Sequence, residues 1–411
     1  MTATATPTTP PRTPESREKP PSRRAGDIDS FRGLAALSTV AFHVRQEYTV
    51  YDAQGAHPPL NTPGVDALFS FEALDLFFVL SAFLLTSSYA RAAIDGGSTR
   101  PASAFLFRRA IRILPLYVLA ILVVWATRNP TLPGNWRDLA EHLTFTHVFD
   151  QERIFYTLGP TWSLSLEVLF YLVLAGLGPL AVRACRPLRR RGSRVAVCAA
   201  GCLLLYAAPL AWITYAHYGV GIPHTDWVAY FGPQARFGGF AAGMGLAVAR
   251  AALGDRARLP RRAALPLTAL ALTGLFCLSL LSRQSGPEGF TTTYYHPLAS
   301  ALWMLLLFST FHIRQLTVWN TFLTARWLTF VGLVSYSLFI WHEPVMLLLH
   351  NAGLLPQGTS GFPWALLIVL VAALVTAAAS YWLIEYPAGL LARLKDTNGH
   401  PRNFYPDAAL R

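Results

Sequence analysis

Apolar stretches recur along almost the whole of this 411-residue chain, each separate from the next, and that pattern leaves few folds open. A helix rises about 1.5 Å per residue, so crossing a bilayer takes about 20 consecutive apolar residues. Stretches of that length fall at roughly 30–50, 67–90, 109–127, 162–183, 195–217, 230–250, 263–283, 296–313, 326–350 and 363–386. In hydrocarbon the backbone N–H and C=O groups need partners within the segment, which a helix supplies. The chain therefore reads as all-α, a polytopic integral membrane bundle of about ten transmembrane helices. Composition agrees, at 53% hydrophobic and 14% charged residues. The even spread of the stretches predicts one integral domain over 27–390 rather than an anchor on a soluble domain. A Thr-, Pro- and Arg-rich tail at 1–26, with no signal-peptide core and the composition of a disordered segment, precedes it, and a second tail covers 391–411. Residues 137–150, carrying Arg137, Glu141, His142 and His147, are too short and polar to span and are expected to be interfacial or re-entrant.

Arginine marks which loops face the cytoplasm. Basic residues gather at Arg23 and Arg24, from Arg91 to Arg109, from Arg186 to Arg194, from Arg256 to Arg262, at Arg314 and Arg326, and at Arg393 and Lys395. The alternate loops at 51–66, 218–229 and 351–362 have no Lys or Arg. This alternation closes with both termini cytoplasmic in a multi-pass protein of the inner membrane, provided that 137–150 does not cross. The net charge of +12 is then topology and contact with anionic lipids, not a nucleic-acid surface. A basic cytoplasmic face also suits a phosphorylated co-substrate. Cys185, Cys198, Cys202 and Cys277 sit in or beside predicted helices without a disulfide framework, and no His or carboxylate stands at ligand spacing beside them, so no metal is expected.

Ionisable residues inside these stretches point to chemistry, since charge at membrane depth is expensive and usually faces a bundle interior or wet cavity. Arg32 and His43 are eleven residues apart. On a helix that spacing puts guanidinium and imidazole on one face, about 16 Å apart along the axis. The plain alternative is that Arg32 anchors the helix at the headgroups while His43 only packs. Asp75 precedes the run Leu-Phe-Phe-Val-Leu-Ser-Ala-Phe, deep enough to need a partner. Arg108, Arg109 and Arg112 open another stretch; topology alone accounts for arginines there, but their spacing also suits several phosphate oxygens. Trp162 and Glu167 begin a further one, and a carboxylate so placed has few structural uses. Near the C-terminus come Tyr336, the His342-Glu343-Pro344 segment, and Ile384-Glu385-Tyr386-Pro387.

Taken in order, Arg32-x10-His43, Asp75-Leu-Phe-Phe-Val-Leu-Ser-Ala-Phe, Arg108-Arg-x-x-Arg-Ile-x-Pro-x-Tyr, Trp162-Ser-Leu-x-x-Glu-x-x-Phe-Tyr, Ser335-Tyr-Ser-Leu-x-x-x-His342 and Glu385-Tyr-Pro resemble the membrane acyltransferase-3 family, from about residue 27 to 390. That resemblance implies about ten helices and acyl transfer from acyl-coenzyme A to hydroxyls of sugars, surface polysaccharides, lipids or secondary metabolites. For His43 it implies catalysis, and for Arg32, Arg108, Arg109 and Arg112 donor binding, with Asp75, Trp162, Glu167, Tyr336 and His342 supporting the site. The family usually has Gly where this chain has Ala82, and the chain resembles its stand-alone form, without an appended esterase-like domain.

The chemistry fits, because transfer from thioester to hydroxyl needs a base for the hydroxyl proton and imidazole titrates near neutrality. Asp75 or Glu47 is expected to orient His43, and Arg32, Trp162 or Tyr336 to stabilise the oxyanion. Direct transfer is the default, with an acyl-histidine route open. A transporter also uses intramembrane ions, but the two halves show no repeat and no paired broken helices; a scaffold leaves the ionic set without a purpose. Abundant arginine with only two lysines hints at a GC-rich bacterial genome, and the resemblance to stand-alone members found there implies a sugar or a glycosylated or polyketide metabolite as acceptor over envelope polysaccharide, with acetyl or another short acyl group expected as the group moved. Oligomeric state has no signal in the sequence.

Overall fold

The computed structural model describes residues 23–53, 55–70, 73–254, 260–284, 289–312 and 317–394. The expected tails lie outside the described residues before 23 and after 394, as do Glu72, Arg256, Arg258, Arg314 and Lys395. Helix α1 (Arg23–Glu47) leads into a hairpin of β1 (Val50–Asp52) and β2 (Gly55–His57), with Val50 opposite His57. The remaining helices are α2 (Pro63–Phe69), α3 (Leu74–Arg91), α4 (Ala102–Arg128), α5 (Trp136–Leu143), α6 (Trp162–Cys185), α7 (Arg191–Thr214), α8 (Trp227–Phe231), α9 (Pro233–Leu253), α10 (Arg261–Gln284), α11 (Phe290–His312), α12 (Thr317–Leu323), α13 (Arg326–Leu333), α14 (Ser335–Asn351), α15 (Phe362–Ser380) and α16 (Tyr386–Leu394). Three of them end in a π-helical turn: α3 at Ala92–Gly96, α7 at Tyr215–Val220 and α15 at Tyr381–Glu385.

Each stretch predicted to span falls on helix. Among the described residues six helices are long and apolar enough to cross a membrane, and a seventh is added if α13 and α14, bent by 74° where they meet, form one span. With 25, 21 and 23 residues, α1, α9 and α11 have the length but a more polar make-up. They bring Arg32, His43, Arg236 and His296 into the bundle. At 8 residues α5 is short, as the polarity of its sequence predicts.

Small residues set the closest helix contacts, because backbones approach only where no side chain intervenes. A Cβ on Gly332 of α13 would lie 1.8 Å from the carbonyl oxygen of Asp29 on α1. On Gly243 of α9 it would lie 2.2 Å from that of Val79 on α3 and 2.8 Å from the methyl of Ala82. Ala82 thus fills a helix contact. Apolar clusters around these seams join α1, α3, α9 and α11 through Phe31, Leu80, Phe83 and Leu246, and α1, α13, α14 and α15 through Val40, Val44, Leu338 and Val369.

Candidate active site

Two imidazoles meet where α1 packs on α14. Nδ1 of His43 is 3.0 Å from the Thr39 carbonyl oxygen and 3.1 Å from Nε2 of His342. His342 Nδ1 lies 2.7 Å from the Phe339 carbonyl oxygen. A carbonyl only accepts, so in neutral rings Nδ1 of His342 carries the proton and donates to Phe339, leaving a lone pair on its Nε2. Nδ1–H of His43 then donates to Thr39 and to that lone pair. The consequence is an unprotonated Nε2 on His43, the form a general base requires.

The expected orienters have other partners. Asp75 accepts from Nδ1 of His296 at 2.8 Å and from Ser300 at 3.3 Å, both on α11. Glu47 lies 2.9 Å from Nδ1 of His350. The sequence offers either carboxylate, Glu47 because it lies one turn beyond His43, whereas the residue at Nδ1 of His43 is a histidine 299 positions away.

Toward the other end of α1, Arg32 lies within electrostatic reach of Arg112, Asp29, Glu385 and Glu167. No residue among those described forms an ion pair or hydrogen bond with Arg32. Glu167 accepts from Ser81 and, at 2.6 Å, from Tyr171, with Arg109 close by; Arg109 has its Nε buried without a partner. Ser337 donates to Glu385, which the π-helical turn ending α15 carries. Arg108 faces elsewhere, toward Tyr89. Of the expected oxyanion donors, Tyr336 already donates to the Ile113 carbonyl at 2.8 Å, and Trp162 is packed between Phe78 and Phe231. Asp29 and Glu385 were not on the expected site. Asp29 had a signal, three residues before Arg32 and so on its face.

Segment 136–161 is tied to α4 and, beside His342, to α14. Tyr117 donates to the His142 carbonyl at 2.7 Å, and Glu343 accepts from the backbone N–H of Gly159 at 2.8 Å. Within it His142 and His147 stack at 4.0 Å, with Asp138 3.1 Å from Nδ1 of His142. Burial, reinforced by His142, pulls His147 down to about 3. For Asp138 burial acts upward, but donation from His142 and Thr157 outweighs it and holds the carboxyl below its ordinary value.

Helices long enough to span, with a histidine pair and a cluster of charged side chains between them, define a polytopic helical membrane protein built around buried polar chemistry. The chain belongs to the acyltransferase-3 family: the family's acyltransferase domain matches residues 26–382. Among known proteins it is similar to acyltransferase MdmB of Streptomyces mycarofaciens, 28% identical over 55% of this chain and 57% of that protein. Nodulation protein 10 of Rhizobium leguminosarum bv. viciae is 28% identical over 39% of this chain and 45% of that protein. A membrane-bound protein of Komagataeibacter xylinus named as transacylase BcsY is 26% identical over 89% and 83%. The chain spans about half the length of the first two. No solved structure matches it.

Proposed function

We propose that this protein is an O-acyltransferase that moves a short acyl group, acetyl or similar, from acyl-coenzyme A to a hydroxyl of a sugar or of a glycosylated or polyketide metabolite. The His43–His342 pair carries this reading. Nε2 of His43 takes the proton as the hydroxyl oxygen attacks the thioester carbonyl, and Nε2 of His342 accepts from the opposite edge of the imidazolium that forms. Collapse of the tetrahedral intermediate breaks the carbon–sulfur bond, and the proton passes from His43 to the departing sulfur. The products are the ester and free coenzyme A. Arg32 sits too far along α1 to share one carbonyl oxygen with His43, about 16 Å at the helix axis, so it holds the donor's arm lower in the cleft with Arg112. Arg109 and Glu167 shape the wall beside it, and the cytoplasmic arginines, Arg108 among them, receive the phosphates.

Purified protein given labelled acyl-coenzyme A, with and without acceptor alcohols, tests the assignment. His43→Ala is expected to lower transfer by about 10² to 10⁴-fold while the protein still inserts and folds. Turnover within a few-fold of wild type would exclude His43 as the base. Comparison of acylated metabolites and acylated envelope polymers in a strain lacking the gene separates the two acceptor classes.

A further inference from the structure

At the seam of α6 and α7 two cysteines face each other. Cys185 is the last residue of α6 and Cys198 stands in α7, thirteen positions on, with their sulfurs 3.7 Å apart. Cys185 is 1% exposed, enclosed by Val182 and by Ala92 and Ala93 of the π-helical turn that ends α3. Cys198 packs on the same cluster but stays partly open. The connection between the two helices holds the seam. Nε of Arg194 donates to the Leu188 carbonyl at 2.8 Å and its Nη1 to that of Ile94 at 3.3 Å, which joins the turn after α6, the start of α7 and the end of α3. Arg191 adds a second fastening, to Asp95 at 3.0 Å and to the carbonyls of Ala251 and Ala252. The two sulfurs are therefore held together by the fold around them, and little chain entropy is left to lose in joining them.

At this distance the sulfurs touch without a bond, since a disulfide brings them to about 2.05 Å. Closing the gap takes rotation of the two side chains toward each other. The Cys185 thiol has the Arg194 carbonyl oxygen 3.8 Å away as an acceptor, which draws its proton away from Cys198 and leaves sulfur lone pairs facing it. Metal binding is the other use of paired thiols. Among the described residues no group of three or more His, Cys, Asp or Glu is placed to hold a metal ion, so the pair is left with its own redox chemistry. Cys198, the more open of the two, is the sulfur that a small neutral oxidant meets first.

We propose that Cys185 and Cys198 are an oxidation site for a peroxide, which converts the thiol pair into a disulfide joining α6 to α7. Cys198 gives its proton to solvent and its sulfur attacks the O–O bond, leaving a sulfenic acid and releasing hydroxide, which takes up a proton as water. The sulfur of Cys185 then displaces the hydroxyl group, which leaves with the Cys185 proton as a second water. Two thiols and one hydrogen peroxide thus give one disulfide and two waters. The arginine-rich connection is predicted to face the cytoplasm, where thiol reductants reopen the bond, so the link forms under peroxide and is not a permanent staple. Full-length protein, purified in detergent with its thiols reduced, is treated with hydrogen peroxide, blocked with N-ethylmaleimide and digested with trypsin, which cuts between the two cysteines at Arg189, Arg190 and Arg194. In protein that still runs as a monomer without reductant, mass spectrometry is expected to find the Cys185 peptide joined to the Cys198 peptide, lighter than their sum by two hydrogens and separated by dithiothreitol. Cys202 shares the second peptide, so the link should persist in Cys202→Ser and vanish in Cys198→Ser. In the double variant Cys185→Ser, Cys202→Ser the sulfenic acid lacks a partner thiol, and dimedone should label Cys198. Both cysteines blocked by N-ethylmaleimide after peroxide, each oxidised separately, or a link that runs to Cys202 or to a second copy of the chain would overturn the site and leave the pair as packing.

Discussion

At the scale of single residues, the contact on which the proposed chemistry turns is the one between His43 and His342. His342 touches its partner and not the reacting atoms, so its loss should cost less than that of His43. His342→Ala is expected to lower kcat by about ten- to hundred-fold with little change in KM for the donor. His342→Gln, whose side-chain oxygen still accepts from Nδ1–H, should recover part of it. An equal rise in KM, or no recovery, would make His342 a packing residue. A second residue-scale expectation concerns His147, whose folded form is neutral because burial pulls it from 6.5 to about 3. The unfolded chain binds a proton that the folded chain refuses, so this contribution is complete above about pH 6.5 and is lost as pH falls from there toward 3. Melting temperature should decline between about pH 7 and about pH 4, and His147→Gln should flatten the decline. Both histidines are visible in the sequence, but their roles were not equally so. His43 and Arg32 share a helix, and helical periodicity relates them. Nothing in spacing relates His43 to His342, or Asp75 to His296, because only packing decides which helices become neighbours.

At the scale of elements, the position of α1 governs the site, because that helix carries both Arg32 and His43. It is held by a backbone contact, with Gly332 of α13 against the Asp29 carbonyl. Gly332→Val inserts atoms where a single Cβ would already lie 1.8 Å from that oxygen, so α1 must move away. Overpacking of this type costs about 1 to 3 kcal/mol. Melting temperature and turnover are expected to fall together, whereas Gly192→Val, with nothing within 4 Å of the added carbon, should change neither. Full activity in a destabilised Gly332→Val protein would show that α1 does not set the chemistry. Helix positions were well predicted from the apolar runs. The break between α13 and α14 was not, because Leu333-Val334-Ser335 contains no proline or glycine that would announce it.

For the whole molecule, the alternation of arginine-rich and arginine-free loops predicts Gly55 outside and Gly192 inside. Cysteine introduced at each position, in a background lacking Cys185, Cys198, Cys202 and Cys277, should react with an impermeant thiol reagent in intact cells only at Gly55. Reaction at Gly192 under the same conditions would reverse the orientation. The bend between α13 and α14 has a further bearing on how such a molecule is made. A straight apolar helix satisfies its own backbone and can enter the bilayer alone, but a span broken by 74° exposes first-turn N–H groups and last-turn carbonyls at the break. Neighbouring helices must be present before that exposure becomes tolerable. The segment bearing His342 is thereby bound to a late step of assembly, and catalytic competence can arise only in a bundle that has already closed around it.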